Sequence, residues 1–321
     1  MRTWALTLVL GLMAMSSSCQ DSYTGSGAAW EQPQPQPQVQ TRNSGAMPHT
    51  QTPAPSAAGG RSANYGLVPG RPLSQPSKPA PKPDCAAVCV IDPRTGRTLY
   101  MHNAHTRRQV ASTQKIVTAL CVTDAGNLNK WITIAAQDSA GVPPIKLNLK
   151  PGTRYRRGEL LKVMLTGSYN DVALTLARDA AGSVPAFVQR MNARARRMRM
   201  YNTHFANPNG LPAEQYSTAY DMALAACYAY SNPIIRRCIN IPEFQFTLAD
   251  GSTRTIQSTN KLLKEHSWVQ GMKTGYTNAA GKCLISCGSA NGQAVIVVVL
   301  GSTNTKIWGE SLKYLRWALK L

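Results

Sequence analysis

Ser112 and Lys115 stand three residues apart at the head of ASTQKIVTAL, residues 111–120, where a small polar run breaks into an apolar one. A serine hydroxyl is a poor nucleophile until a neighbour takes its proton. A lysine can do this when neutral, and both burial and a helix N-terminus disfavour its ammonium form. A spacing of three on a helix puts both side chains on one face. Ser112 would also offer its backbone N–H to an oxyanion forming at an attacked carbonyl. The pair therefore reads as a nucleophile, Ser112, activated by Lys115. The five histidines lie in no triad-like motif, and the chain has no Gly-x-Ser-x-Gly elbow.

One such pair is a weak signal, because Ser-x-x-Lys arises by chance about once in a chain this long. Ser258-Thr259-Asn260-Lys261 is a second instance. Ser-x-Asn is no rarer, with Ser62, Ser168, Ser258, Ser289 and Ser302 each starting one. Lys273-Thr274-Gly275 occurs once, and about one such chain in fifteen would contain it by chance. The weight lies in combination and order. Ser112 and Lys115 open an apolar helix, Ser168-Tyr169-Asn170 interrupts a helical region, and Lys273-Thr274-Gly275 lies on a late strand.

The elements that must position these residues are legible in outline. CAAVCVIDPRTGRTLYMHNA reads as two strands around a turn at residues 92–96. Residues from about 120 to 240 are mainly helical in pattern, including PAFVQRMNARARRM with its arginine-rich outer face. WVQGMKTGY, GKCLISCGSA and QAVIVVVLGST read as strands, the last two joined by a hairpin at Asn291-Gly292. WGESLKYLRWALK closes the chain as a helix. Strands at both ends and helices between them imply an α/β (α+β) domain over residues 84–321: an antiparallel sheet built from distant segments, flanked by helices, with an all-helical lobe inserted.

The ordered trio is the signature of penicillin-recognising serine enzymes. With NTHFANPNGLPAEQYSTAYDMALAA from Asn202 and WVQGMKTGYTNAAGKCLIS from Trp268, the chain resembles the low-molecular-weight penicillin-binding proteins of the D-alanyl-D-alanine carboxypeptidase type, over roughly residues 84–321. The resemblance implies the fold shared by D,D-peptidases and β-lactamases, and a serine acyl-transfer activity on peptidoglycan stem peptides that β-lactams trap. It implies Ser112 as the acylated residue, Lys115 as base, Ser168 as proton relay and Asn170 as the group orienting Lys115 and the substrate amide. Lys273, Thr274 and Gly275 would bind the terminal carboxylate region, and the N–H groups of Ser112 and Tyr276 would form the oxyanion hole. A D,D-endopeptidase cutting cross-links is the nearest alternative, followed by a β-lactamase or an inactive wall-binding lipoprotein. Two departures stand out. Tyr169 replaces a small residue, predicting a narrower cleft wall, and Arg199 replaces a glycine expected at a helix end.

Residues 1–18 read as an export signal, with Met1-Arg2, an apolar stretch from Trp4 to Met15, then small residues. Cys19 follows as a candidate lipidation site, although Ser16 stands where lipoprotein signals usually carry Leu; plain signal cleavage is the alternative. Residues 19–83 are rich in Pro, Gln and Ser, and twelve of the 21 prolines fall there, which predicts a disordered tether. These features imply a location in the periplasm or on the outer face of a bacterial membrane, held by lipid.

The formal charge is +20, from 35 Lys+Arg against 15 Asp+Glu. The basic clusters, Arg154/Arg156/Arg157 and Arg190 to Arg199, lack the interleaved aromatics or motif of a nucleic-acid binder, so anionic surroundings are the expected partners. Cys85/Cys89 and Cys283/Cys287 fall on expected strands, each pair facing one side. They are not spaced on turns as zinc ligands are, so no metal or cofactor is expected. Free thiols and one or two disulfides both remain open.

Overall fold

β9 (Gln293–Ser302) alternates two sets of aliphatic side chains across one sheet: Ile296, Val298 and Leu300 face one core, Val295, Val297 and Val299 the other. A strand apolar on both faces must be covered on both. The computed structural model, which describes residues 70–142 and 145–321, provides both covers.

The sheet has five strands in the order β2-β1-β9-β8-β7, with β1 (Ala87–Ile91), β2 (Thr98–His102), β7 (Val269–Thr277) and β8 (Gly281–Ala290) joining β9. All pairings are antiparallel. Asn291 and Gly292, both at positive φ (51° and 71°), turn the β8–β9 hairpin as the Asn-Gly dipeptide predicts.

Between β2 and β7 the chain builds the lobe covering the first face. A short 3-10 turn, Ala111–Gln114, leads into α1 (Lys115–Asp124). A small hairpin of β3 (Trp131–Thr133) and β4 (Arg154–Arg156) precedes α2 (Arg157–Gly167), α3 (Asn170–Ala181) and α4 (Val184–Arg197). Then come α5 (Ala219–Ser231), α6 (Pro233–Ile239), the hairpin β5 (Glu243–Thr247)–β6 (Thr253–Gln257) and the single turn α7 (Leu262–Glu265). Ser183, Thr218 and Asn232 cap α4, α5 and α6 by accepting backbone N–H bonds. α8 (Ile307–Leu319) covers the second face, with buried Tyr314 stacked on Tyr100 at 5.4 Å.

Several expectations change. Residues 70–83, the last part of the expected tether, pack on the domain. Leu73 is 4% exposed, its N–H donates to Asp92, and the carbonyls of Lys78 and Pro81 accept from Trp317 and Tyr314. Composition missed this because the segment is held by its carbonyls, which proline retains. The expected boundary at residue 84 thus moves back into the segment. Cys85 lies before β1 and packs against the α8-side core, whereas Cys89 lies in the lobe-side core, so this pair straddles the sheet. Cys283 and Cys287 do share a side. All seven described cysteines are free thiols. Arg157 leaves its surface cluster: it is 4% exposed and pairs with Asp179 at 2.6 Å, while Arg154 and Arg156 flank the ring of Trp131. Arg199 sits at φ 61°, the left-handed conformation a glycine takes after a helix. Residues 1–18, Cys19 and the tether up to residue 69 lie outside the described residues.

Candidate active site

Ser112 sits on the 3-10 turn rather than on the α-helix itself. In such a turn residues i and i+3 eclipse one another, which brings Lys115 Nζ to 2.8 Å from Ser112 Oγ. The preceding residue, Ala111, is held at φ 48°. A non-glycine residue in this region carries strain that its surroundings must hold.

The surroundings are a buried polar cage. Lys115 is wholly buried; its Nζ donates to Asn170 Oδ1 at 2.8 Å and to the carbonyl of Asn209 at 2.6 Å. Those two partners are acceptors only. The third contact of Nζ is Ser112 Oγ, whose own hydroxyl donates to the same Asn209 carbonyl at 3.1 Å. A neutral amine has two hydrogens and one lone pair, so a turn of that hydroxyl away from Asn209 would present its proton to the amine. Burial first, then the nearby Lys273 charge, hold the Lys115 amine well below its ordinary 10.5, with Asp171 opposing. An amine so held can serve as a base to the serine beside it.

Ser168 and Asn170 are placed by the break between α2 and α3. Ser168 adopts a left-handed conformation (φ 67°), which ends α2 and turns its side chain into the cleft. Asn170 then starts α3, aimed at Lys115. Lys273 on β7 is also wholly buried, with Nζ 2.7 Å from Ser168 Oγ and 3.0 Å from the Thr274 carbonyl. Burial pushes its amine down to about 7. Lys273 therefore stands behind Ser168, not on the cleft surface. The Thr274 hydroxyl faces the cleft and donates to Thr259 at 2.6 Å.

Gly275 is where the sheet meets the serine. A Cβ there would lie 2.9 Å from the Ser112 nitrogen and 3.0 Å from that of Thr113, so only glycine lets β7 approach this closely. Tyr276 follows on the same edge strand, one residue beyond that contact. The resulting cleft, about 290 Å³, is lined by Ser112, Ser168, Thr274 and Tyr276 among others.

The trio read from sequence is thus gathered at one place, though Lys115 and Lys273 serve it from beneath. Tyr169 does not narrow the cleft; its ring lies over Gly167, where a Cβ would come within 2.3 Å of it. Sequence reasoning missed Asn209, whose carbonyl accepts from both Lys115 and the Ser112 hydroxyl (3.1 Å). Its signal was the Asn207-Pro208-Asn209-Gly210 turn. Gly210, at φ 84°, passes so close to Ala111 that a Cβ would lie 2.2 Å from its carbonyl oxygen. Also missed was Asp171, buried, which accepts from the N–H groups of Leu147 and Asn148 and fixes the loop carrying Ile145 to the cleft. Among the described residues no group of three or more His, Cys, Asp or Glu could hold a metal ion. Cys283, on the cleft lining, is pushed up to about 11 by burial, which suits an inert thiol.

Comparison with known proteins agrees with this geometry. The profile of the D-alanyl-D-alanine carboxypeptidase family matches residues 74–304. The chain belongs to that family. It is 31% identical over 228 residues to a D-alanyl-D-alanine carboxypeptidase of Bacillus subtilis, covering 70% of this chain and 59% of the relative. It is also 31% identical over 214 residues to a D-alanyl-D-alanine endopeptidase of Pseudomonas aeruginosa, covering 66% of this chain and 69% of that one. The crystal structure of a D-alanyl-D-alanine carboxypeptidase from Mycobacterium tuberculosis superposes with a TM-score of 0.72 at 27% identity, over 77% of this chain and 96% of the other. The fold is therefore that of the D,D-peptidases. The family match begins at residue 74, inside the packed arm.

Proposed function

We propose that the protein is a serine D-alanyl-D-alanine carboxypeptidase acting on peptidoglycan stem peptides and trapped by penicillins. The observation that carries this reading is the Lys115 cage, which holds a buried amine 2.8 Å from Ser112 Oγ between the Asn170 and Asn209 oxygens, one turn of the Ser112 hydroxyl away from receiving its proton. Ser112 Oγ attacks the carbonyl carbon between the two D-alanines as Lys115 takes its proton. The N–H groups of Ser112 and Tyr276 hold the oxyanion. The C–N bond then breaks, and the departing nitrogen receives the proton from Lys115 by way of Ser168. The remaining ester on Ser112 is hydrolysed by water, with Lys115 again accepting a proton. Thr274 receives the terminal carboxylate at the cleft surface. Lys273 favours that carboxylate through its charge, one layer back.

The test is incubation with muropeptides containing both pentapeptides and cross-linked dimers. Loss of the terminal D-alanine from pentapeptides is the expected outcome. Consumption of dimers alone would establish the endopeptidase reading instead, which the similarity to the Pseudomonas relative favours. Turnover of neither, with no penicillin bound to Ser112, would overturn both. The proposal extends to an exported enzyme held to a membrane through lipid on Cys19, motivated by the signal-like sequence ahead of it. Mass spectrometry of the mature N-terminus decides that point, since an unmodified start elsewhere would show a free exported enzyme.

A further inference from the structure

The cleft continues past the reacting groups. At one end Ser168 and Thr259 meet Lys273 and Thr274. At the other, beyond Tyr276, it is lined by Lys282, Ile307 and Trp308. Lys282 lies opposite Tyr276 in the β7–β8 register and opposite Ser302 in the β8–β9 register, which brings it beside the start of α8. Side chains directly opposite in an antiparallel pair share a face. Accordingly, Lys282 Nζ lies 4.0 Å from the centre of the Tyr276 ring.

This lysine differs from the two beneath the cleft. Lys115 and Lys273 are buried and held by hydrogen bonds. Lys282 is partly exposed, and no ion pair joins it to a carboxylate among the described residues. It is the cation that the cleft lining presents. The ring of Tyr276 steadies an ammonium without neutralising it.

We infer that Lys282, with Trp308 and Ile307 beside it, forms a subsite for an anionic residue of the substrate on the acyl side of the scissile bond. The direction of the substrate sets the assignment, which rests on the proposed D,D-peptidase reading. With the terminal carboxylate at Thr274 and the scissile carbonyl between the N–H groups of Ser112 and Tyr276, the retained part of the peptide runs on past Tyr276. The residue preceding the two D-alanines then reaches Lys282. A side chain ending in a carboxylate would meet the ammonium there, and its aliphatic part would lie against Trp308. Peptides with an acidic third residue from the end are the substrate class this selects.

Two synthetic peptides ending in D-alanyl-D-alanine test it, differing only in whether the third residue from the end carries a side-chain carboxylate or its carboxamide. Wild type should turn over the carboxylate peptide about tenfold better in kcat/KM, chiefly through KM, and added salt should shrink the ratio. Lys282→Gln should collapse the ratio toward one, and Lys282→Glu should reverse it. Because the readout is a ratio within one variant, a general loss of folding or activity cannot mimic it. A ratio of one in wild type, or a ratio unchanged in Lys282→Gln, would overturn the subsite while leaving the peptidase reading intact. No turnover of either peptide and no penicillin labelling of Ser112 would overturn both.

Discussion

The two faces of the five-stranded sheet are built on opposite plans. The α8 side is a conventional apolar core, with Val295, Val297 and Val299 against Tyr314, Leu315 and Leu319. Among the described residues, its polar contacts include a buried hydroxyl pair, Ser286 with Ser311, and the buried carboxylate of Glu310, which accepts from Cys85 and the Asp84 N–H at its edge. The lobe side has the larger core, yet it also encloses two lysines, Asn170 and Asp171. Burying an amine costs stability unless partners or deprotonation relieve it. Elsewhere in the lobe buried charge is paired, as Arg157 is with Asp179, whereas the two buried amines, Lys115 and Lys273, lie beneath the cleft beside Ser112 and Ser168. One face supplies stability, and the other gives some of it up for chemistry.

The sharpest way to break this comparison is Lys115→Arg, which puts a permanent cation in the cage that cannot give up its proton near neutral pH. Acylation by labelled penicillin should fall at least about a hundredfold, the scale of losing a general base. A folded variant with a near-normal rate would place the base elsewhere. On the opposite face, Leu73→Ala should lower unfolding free energy by about 2–3 kcal/mol, as for other buried leucines, and leave the acylation rate as it was. A change below about 0.5 kcal/mol by denaturant titration would mean that the arm contributes no core.

Lys273 sharpens the comparison through pH. Its amine is held at about 7 when folded, against 10.5 ordinarily. The unfolded chain then binds more protons than the folded one between about pH 7 and pH 10.5, so this group makes stability rise with pH across that window. Lys273→Met should flatten the rise and stabilise the neutral-pH protein by about 1–2 kcal/mol, as replacing buried charge by apolar volume often does. A parallel pH curve in the variant would refute the linkage. The smallest effect belongs to neither core. Arg199→Gly relieves a left-handed residue at a helix end and should stabilise by about 1 kcal/mol or less; a loss of stability would show that its side chain matters more than its backbone.

Much of this was legible in the sequence because it rests on local rules. The helix break at Ser168, the Asn291-Gly292 hairpin and the late strands follow from turn chemistry and runs of apolar residues. The trio could be assembled because its order along the chain is informative. What stayed hidden depends on approach between distant segments. Asn209 acts through a backbone carbonyl, which every residue type has. Tyr169 turned away from the cleft because Gly167 left room for its ring. The depth of Lys273 was invisible, since sequence places a lysine on a strand but not behind a serine. The packed arm was hidden by its proline-rich composition, although the carbonyls of Lys78, Pro81 and Lys82 hold it to α8.

The point where the arm joins the domain has a mechanical consequence. The N–H of Arg71 donates to the carbonyl of Gly292, so the chain enters at the tip of the β8–β9 hairpin. The cleft adjoins the other end of β8, near Lys282. The eight to ten residues of strand between them span roughly 25–30 Å. Any tension applied upstream of residue 70 is thus delivered at the far pole of the sheet, along the strands rather than across them. Were the chain held upstream as proposed for Cys19, Ser112 would face away from the point of attachment, and the length of the sheet would add to its reach.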